Sequence, residues 1–364
     1  MLNIPERTIA VFEHKRADRL VWQPRLHHWY EVNRARWTLP PEYAAMNILE
    51  IYDDLGASPR GYHFYDDTLK TIEGEKIRLV MKEDENAFYT KYVTPTGSLT
   101  QVEKKNIYGT NRMRVEYFLK DVSDFEVLSY ILKNQDFFFD RDLYDRTQQS
   151  LGNRCEPSIN VRWGSIQRLL ISYMGLERGT IALWRHTAEV EGLLQVFEEN
   201  DDKLFDVVKQ TPFRVVNFLD NIDEGLVSPT LFKKYMIPYY QKRTSQLHRV
   251  NKFCTSHWDG KIRNVLPFAK ETGLDGLECV PPMPQGNVTL EELKDGLGNM
   301  TLCDGIPATH FLREVTSEEL KGFVYRLLEL FSPNLIVGIS DMMPPDGQID
   351  KVRMVGGIVA DCRT

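Results

Sequence analysis

The sequence lacks the features that mark several classes of protein. No apolar run approaches the roughly 18 residues needed to cross a bilayer, so we predict no membrane span. A formal net charge of −7 gives no basic excess to neutralise phosphates, which argues against a nucleic-acid binder. Residues 1–19 lack the charged, apolar and small-residue order of a signal peptide, which predicts a cytoplasmic protein.

Cysteine is scarce and scattered. The five cysteines, at positions 155, 254, 279, 303 and 362, are odd in number and form no Cys-x-x-Cys pair. In a cytosolic chain this pattern favours free thiols over a disulfide framework, and it leaves one or more of them available as a metal ligand.

Strand and helix patterns alternate along most of the chain. Short apolar runs predict strands at 19–24, 157–163, 214–219, 251–255, 274–277, 300–302 and 335–340, with helical patterns such as Ser317–Leu330 between them. Residues 62–107 instead alternate apolar and polar positions, which is typical of an antiparallel meander. We therefore predict an α/β fold: one (β/α)8 TIM-barrel domain over residues 1–360, with an N-terminal antiparallel β insertion at 62–107.

Residues that bind metals follow three successive predicted strands. His257, Glu278 and Cys303 stand about one βα repeat apart, and the active site of a barrel lies where the carboxyl ends of its strands meet. Nitrogen, oxygen and sulfur are ligands that zinc accepts, with a fourth position open for substrate. Each residue alone is more often structural, but together they predict a site. Asp341 is a fourth candidate ligand, and Asp259 competes with it.

Four stretches of sequence resemble the uroporphyrinogen decarboxylase superfamily. They are His257-Trp-Asp-Gly, GLDGLECVPPMPQGNVTLEEL, LCDGIPA, and SPTLFKKYMIPYYQKR at 228–243, and the likeness covers most of residues 155–350. The resemblance implies a barrel and suggests a homodimer. The decarboxylase itself fits poorly, because Trp22-Gln-Pro-Arg25 and Gly338-Ile-Ser-Asp341 stand where decarboxylases carry Arg-Gln-Ala-Gly-Arg and Gly-His-Gly. The chain looks more like the zinc methyltransferases that work with corrinoid proteins.

Members of that branch differ in the residues that bind the metal. Members that methylate a thiol such as coenzyme M carry His-x-Cys and a later Cys, whereas the corresponding residues here are His257, Asp259 and Asp341. Carboxylates leave a harder zinc that suits an oxygen. The resemblance thus implies the first methyltransferase of O-demethylation, with Zn²⁺ as cofactor, a methoxylated aromatic substrate and a corrinoid (cobalamin) supplied by a partner protein. A methylcorrinoid:thiol methyltransferase and a metal-free, decarboxylase-like tetrapyrrole-binding protein remain as alternatives.

The resemblance also implies roles for individual residues. His257, Glu278 and Cys303 would hold the zinc that coordinates the ether oxygen. A second set would contact the substrate, although each member could equally serve packing. In this set Trp22, Tyr30 and Trp163 would sandwich the ring, Arg25 would meet a ring carboxylate or hydroxyl, and Asn217 and Asp220 would orient the substrate or a metal ligand.

Overall fold

Residues 2–106 and 112–362 are described by the computed structural model. Residue 107, the last of the predicted insertion, lies outside them. The chain divides into two units, one comprising Met1–Asp66, Asp142–Arg162 and Phe213–Thr364, and the other Asp67–Arg141 and Trp163–Pro212. Among the described residues no helix has both the length and the apolar character that a bilayer crossing demands.

Thirteen strands occur in the described residues. They are β1 (Val21–Trp22), β2 (Leu69–Ile72), β3 (Arg78–Glu83), β4 (Ala87–Thr94), β5 (Gly97–Lys105), β6 (Arg112–Glu116), β7 (Asp136–Phe139), β8 (Ser158–Val161), β9 (Val215–Phe218), β10 (Phe253–His257), β11 (Gly276–Glu278), β12 (Thr301–Pro307) and β13 (Leu335–Ser340).

Fourteen α-helices accompany them in the same residues. They are α1 (Ile4–Phe12), α2 (His27–Arg36), α3 (Ile48–Asp54), α4 (Tyr62–Tyr65), α5 (Phe125–Lys133), α6 (Arg141–Leu151), α7 (Ser165–Gln167), α8 (Leu176–Arg185), α9 (Thr187–Gln210), α10 (Pro229–Leu231), α11 (Ile237–His248), α12 (Leu290–Leu297), α13 (Ser317–Phe331) and α14 (Ile349–Asp361). Reciprocal capping boxes fix the starts of α12, at Thr289 with Glu292, and of α13, at Thr316 with Glu319.

The first unit is built on a curled parallel sheet of seven strands. Their order is β1-β13-β12-β11-β10-β9-β8, and every neighbouring pair is parallel. All residues of β12 and β13 are buried, as expected for parallel strands covered on both faces. Because the strands are parallel, their carboxyl ends lie at one edge, and the residues at that edge are brought together.

An irregular segment, residues 57–62, contacts both edge strands of this sheet. The Ser58 amide donates to the Trp22 carbonyl of β1, and the Tyr62 amide donates to Ser158 Oγ of β8. Pro59 has no amide hydrogen to add to a ladder. At Gly61 a Cβ would lie only 2.5 Å from the Glu156 carbonyl oxygen, so glycine permits the close approach. The segment thus lies where an eighth strand of a barrel would run.

The second unit contains the antiparallel strands. Strands β3, β4, β5 and β6 form one sheet in sequence order, and β2 pairs with β7. A register shift between Val102 and Glu103 interrupts the pairing of β5 with β6. An antiparallel meander was predicted in this stretch, and its role as an insertion into a barrel stays a prediction.

The α/β prediction is confirmed at the level of a curled parallel sheet with helices, as in a TIM-like barrel. The strand predicted at Leu335–Ser340 has those bounds, and α13 extends the predicted helix by one residue. The strand predicted at 300–302 is wrong in extent, because β12 continues to Pro307. Asp304-Gly305 is typical of a turn, but here Asp304 is buried against Arg60 and the strand runs through it.

Candidate metal and active site

Three potential metal ligands meet at the carboxyl edge of the parallel sheet. His257 is the last residue of β10, Cys279 follows β11, and Asp341 follows β13. One donor atom from each lies within 4.8 Å of the other two. The Sγ of Cys279 is 3.0 Å from Asp341 Oδ1, and His257 Nε2 is 3.9 Å from the same oxygen. The side chains therefore converge on one point of this edge, the rim of the sheet, and we call His257, Cys279 and Asp341 the rim group, or ligand group.

The backbone of Cys279 turns sharply as β11 ends. Its φ of 71° lies in the left-handed region, which a residue with a Cβ adopts only where its surroundings hold it. Asp304 supplies part of that support, because its Oδ2 accepts the Cys279 amide at 3.1 Å. This turn places the thiol beside Asp341.

Glu278 fixes the orientation of the His257 ring. Its Oε1 lies 3.1 Å from His257 Nδ1, which directs Nε2 toward Asp341. The Asn217 side-chain amide donates to the same oxygen at 3.0 Å, and the Tyr62 hydroxyl lies 3.3 Å from it. Burial disfavours the charged form of Glu278, but the bond to His257 and the charge of Arg60 outweigh it and keep the carboxyl pKa below its ordinary value.

Arg60 connects the supports of two of these ligands. Its guanidinium lies 3.3 Å from Glu278 Oε2 and also pairs closely with Asp304. All three side chains are buried, so each charge depends on the others for compensation. Burial raises the pKa of Asp304 to about 6, although the charge of Arg60 opposes the shift. Arg60 thereby stabilises two carboxylates: Glu278, which contacts His257, and Asp304, which accepts the Cys279 amide.

Arg25 lies directly against the group. Its Nη1 is 2.8 Å from Cys279 Sγ and 3.1 Å from Asp341 Oδ1. Burial raises the pKa of the Cys279 thiol well above its ordinary value; Arg25 opposes the shift, and the nearby charge of Asp341 adds to it. A bound divalent cation would favour the thiolate instead, as it does in metal sites generally.

The three residues fit zinc. A tetrahedral zinc with bonds of about 2.0–2.3 Å separates its ligand atoms by roughly 3.3–3.8 Å, close to the 3.0 and 3.9 Å found here. The second ring nitrogen of His257 is held by a carboxylate, which is how metal-binding histidines are usually oriented. Three protein ligands leave a fourth position open.

The sequence placed Cys303 and Glu278 among the ligands, and the structure puts both outside the group. Cys303 lies inside β12 rather than at its end, in an apolar cluster with residues such as Phe12 and Ile336. Glu278 contacts Nδ1 of His257, whereas Nε2 is the ring nitrogen that faces Asp341. Asp259 is half-buried, and burial together with the charge of Asp341 raises its pKa.

The residues predicted to bind substrate make different contacts. Asn217 supports Glu278, and Arg25 contacts the ligand group, whereas Trp22, Tyr30 and Asp220 have partners outside that group. Trp22 packs against Gly356 of α14, the Tyr30 hydroxyl reaches the Met46 carbonyl, Asp220 accepts from the Tyr240 hydroxyl, and Trp163 belongs to the second unit.

A cavity of about 30 Å³ lies inside the sheet beneath the group, which is room for one water. Its polar lining includes Arg60, Tyr62, Glu156, Asn217 and Glu278. Phe12, Val215, Cys303 and Ile336 also line the cavity, so polar side chains share with apolar ones an interior that barrels usually fill with apolar branched side chains.

A second group of possible ligands lies near the opposite edge of the sheet. His248, Cys254 and Asp275 bring their donor atoms within 4.8 Å of one another. The Asp275 carboxylate already accepts from His248 Nε2 at 2.9 Å and from the Cys254 amide at 2.6 Å. This group is a natural control for experiments on the rim site.

Sequence reasoning missed four residues of the site: Arg60, Tyr62, Cys279 and Asp304. Arg60 and Tyr62 belong to Ser-Pro-Arg-Gly-Tyr, whose proline and glycine predict only a loop. Cys279 carried one usable signal, since it directly follows Glu278 at a predicted strand end.

No protein-family model matches the sequence, and no curated protein does. Among solved structures, a methyltransferase from Methanosarcina mazei superposes with a TM-score of 0.65 over 99% of this chain and 99% of that chain, at 13% identity. The chain shares that protein's fold. A B12-independent methionine synthase from Shewanella sp. W3-18-1, in complex with selenomethionine, matches at a TM-score of 0.42 and 13% identity, covering 89% of this chain and 91% of that one. The second likeness is too weak to support an argument.

Proposed function

We propose that this chain is a zinc-dependent methyltransferase that removes a methyl group from the oxygen of a methoxylated aromatic substrate and passes it to a corrinoid held by a partner protein. The observation that carries the proposal is the convergence of His257, Cys279 and Asp341 at the carboxyl edge of a fold shared with a methyltransferase. The sequence resemblance to the corrinoid-dependent branch supports the choice of methyl acceptor.

His257, Cys279 and Asp341 would hold the zinc, which supplies a Lewis acid that polarises the ether oxygen. The O–CH3 bond of the substrate would break with its electron pair left on the oxygen. Co(I) of the partner's corrinoid, which is a substrate here, would supply the electron pair of the new Co–C bond and become methyl-Co(III). Within the chain, Glu278 holds the proton of His257 Nδ1, and Asp304 holds the Cys279 amide. Arg60 compensates both carboxylates, so the ligands are fixed before substrate arrives.

The donor set favours an oxygen substrate over a thiol. A site of the coenzyme M type is expected to use two cysteine ligands, because thiolate-rich ligation suits a zinc that holds a thiolate. The rim group contains one cysteine, Cys279, together with one carboxylate, Asp341. Cys303, the nearest alternative in the sequence pattern, lies in an apolar cluster.

Elemental analysis of untagged protein tests the metal site. We expect about one zinc per chain in the wild type, and its loss in His257→Ala, Cys279→Ala and Asp341→Ala. Cys303→Ala and His248→Ala are the matched controls and should keep the metal. Loss of zinc in His248→Ala but not in His257→Ala would move the site to the other edge of the sheet, and a folded, metal-free wild type would refute the zinc proposal.

Turnover tests the reaction. Zinc-loaded protein is mixed with a methoxyaromatic compound and a corrinoid protein reduced to Co(I), and the methylated corrinoid is followed by its absorption spectrum. We expect methylation that requires His257, Cys279 and Asp341. Methyl transfer from methylcorrinoid to a thiol, with no demethylation of ethers, would favour the coenzyme M alternative.

A further inference from the structure

Arg25 occupies an unusual place for a cation. It follows β1, its side chain is buried, and Nη1 lies 2.8 Å from Cys279 Sγ and 3.1 Å from Asp341 Oδ1. In the proposed function these atoms are two of the three metal ligands, and they are the two that carry negative charge. A guanidinium that stays protonated at every physiological pH therefore shares both anions with the metal.

We propose that Arg25 is a positioning residue that acts through Cys279 and Asp341, weakening metal binding and drawing charge from the thiolate. This inference rests on the proposed function, because it requires a metal at the rim group. It differs from the substrate-binding role that the sequence suggested for Arg25.

The direction of the effect follows from the charges. Without metal, Cys279 is a neutral thiol and the guanidinium pairs with the Asp341 carboxylate, and this attraction stabilises the empty site. With a dication bound, the ligand anions are neutralised by the metal, and the guanidinium is left beside a second positive charge. Arg25 thus stabilises the empty site more than the loaded one, and its removal should tighten metal binding.

The contact to sulfur has a second consequence. A hydrogen bond from a charged donor takes up part of the thiolate's electron density, so less of it reaches the metal. A thiolate ligand ordinarily softens zinc, whereas polarising an ether oxygen needs an electron-poor ion. Arg25 would let the site keep one cysteine without losing Lewis acidity.

Two readouts test the inference in Arg25→Gln, with Arg25→Lys retaining the charge and exposed Arg154→Gln as control. Zinc affinity is measured by competition with a chelator, and the sulfur-to-metal absorption band is measured in Co(II)-loaded protein. We expect Arg25→Gln to bind zinc at least about tenfold more tightly and to shift the band to longer wavelength, while Arg25→Lys stays closer to wild type in affinity. Arg154→Gln should change neither quantity.

The failures are distinguishable. A folded Arg25→Gln protein with unchanged or weaker zinc affinity and an unmoved band would overturn the Arg25 inference and leave the metal site intact. A wild type without stoichiometric metal would overturn the proposed function and the inference with it. General damage to the site cannot mimic the expected result, because damage loosens metal binding.

Discussion

Replacing Arg60 with methionine would leave the buried carboxylates of Glu278 and Asp304 without their cation. The exposed fractions are 7% for the Arg60 side chain, 2% for Glu278 and 0% for Asp304. Removing one partner of a buried ion pair typically costs about 3–5 kcal/mol, because the remaining charge keeps its desolvation penalty. Arg60 has two such partners, so we expect Arg60→Met to lower the free energy of unfolding by at least about 3 kcal/mol.

The loss should depend on pH. Without Arg60 the pKa of Asp304, already raised to about 6 by burial, rises further above its value in the unfolded chain. A carboxyl with a raised folded-state pKa binds its proton more tightly when folded, so stability falls as pH rises from the unfolded to the folded pKa. The destabilisation of Arg60→Met relative to wild type should therefore be smaller at pH 5 than at pH 8.

Urea unfolding at both pH values, with a chelator to keep metal out of every sample, measures this difference. Arg154→Met is the matched control, because Arg154 pairs with Asp53 at side-chain exposures of 37% and 47%. An exposed pair of this kind contributes less than about 1 kcal/mol. A loss of similar size in Arg60→Met, or one that is equal at both pH values, would refute the reasoning about buried compensation.

Three further changes have defined outcomes. Glu278→Gln keeps an acceptor for His257 Nδ1 but loses the charge, so zinc affinity should fall by about 10- to 100-fold in chelator competition, and full affinity would exclude a contribution of the carboxylate charge. Gly61→Ala would place a Cβ 2.5 Å from a backbone oxygen, and we expect a loss of about 1–3 kcal/mol in urea unfolding; a neutral result would contradict the close approach. Burial raises the pKa of Glu156 to about 7, so wild-type stability should fall between pH 5 and pH 8 by up to about 3 kcal/mol more than that of Glu156→Gln; equal slopes would refute the shift.

The parallel sheet was predictable because its strands are buried on both faces. Apolar runs marked Leu335–Ser340 to the residue, and the helical pattern from Ser317 marked the start of α13. Strand ends that contain polar residues were harder to predict from the sequence. The extent of β12 was missed because Asp304 is compatible with a strand only through its pairing with Arg60, and that contact joins positions far apart in the chain.

The candidate site was predictable by region and only partly by residue. His257 and Asp341 were found because the carboxyl ends of parallel strands meet at one edge. The choice between Cys279 and Cys303 depends on a left-handed backbone at Cys279 and on the continuation of β12 beyond residue 302 to Pro307, and neither property has a pattern in the sequence. Of the aromatic residues near strand ends, Trp22 contacts Gly356 and the Tyr30 hydroxyl donates to the Met46 carbonyl, and their part in substrate binding stays a prediction.

The irregular segment between β1 and β8 has a consequence for local unfolding. Its hydrogen bonds to Trp22 and Ser158 are single contacts, whereas neighbouring strands such as β12 and β13 are joined by continuous ladders of backbone hydrogen bonds. Segments of this kind open at lower free energy than the sheet around them, so their amides should exchange with deuterium sooner than those of β12. Each opening would carry Arg60 away from both carboxylates and release the supports of His257 and Cys279 together. The rate at which metal exchanges with solvent would then be set by the rate at which residues 57–62 open, while the rest of the sheet stays folded.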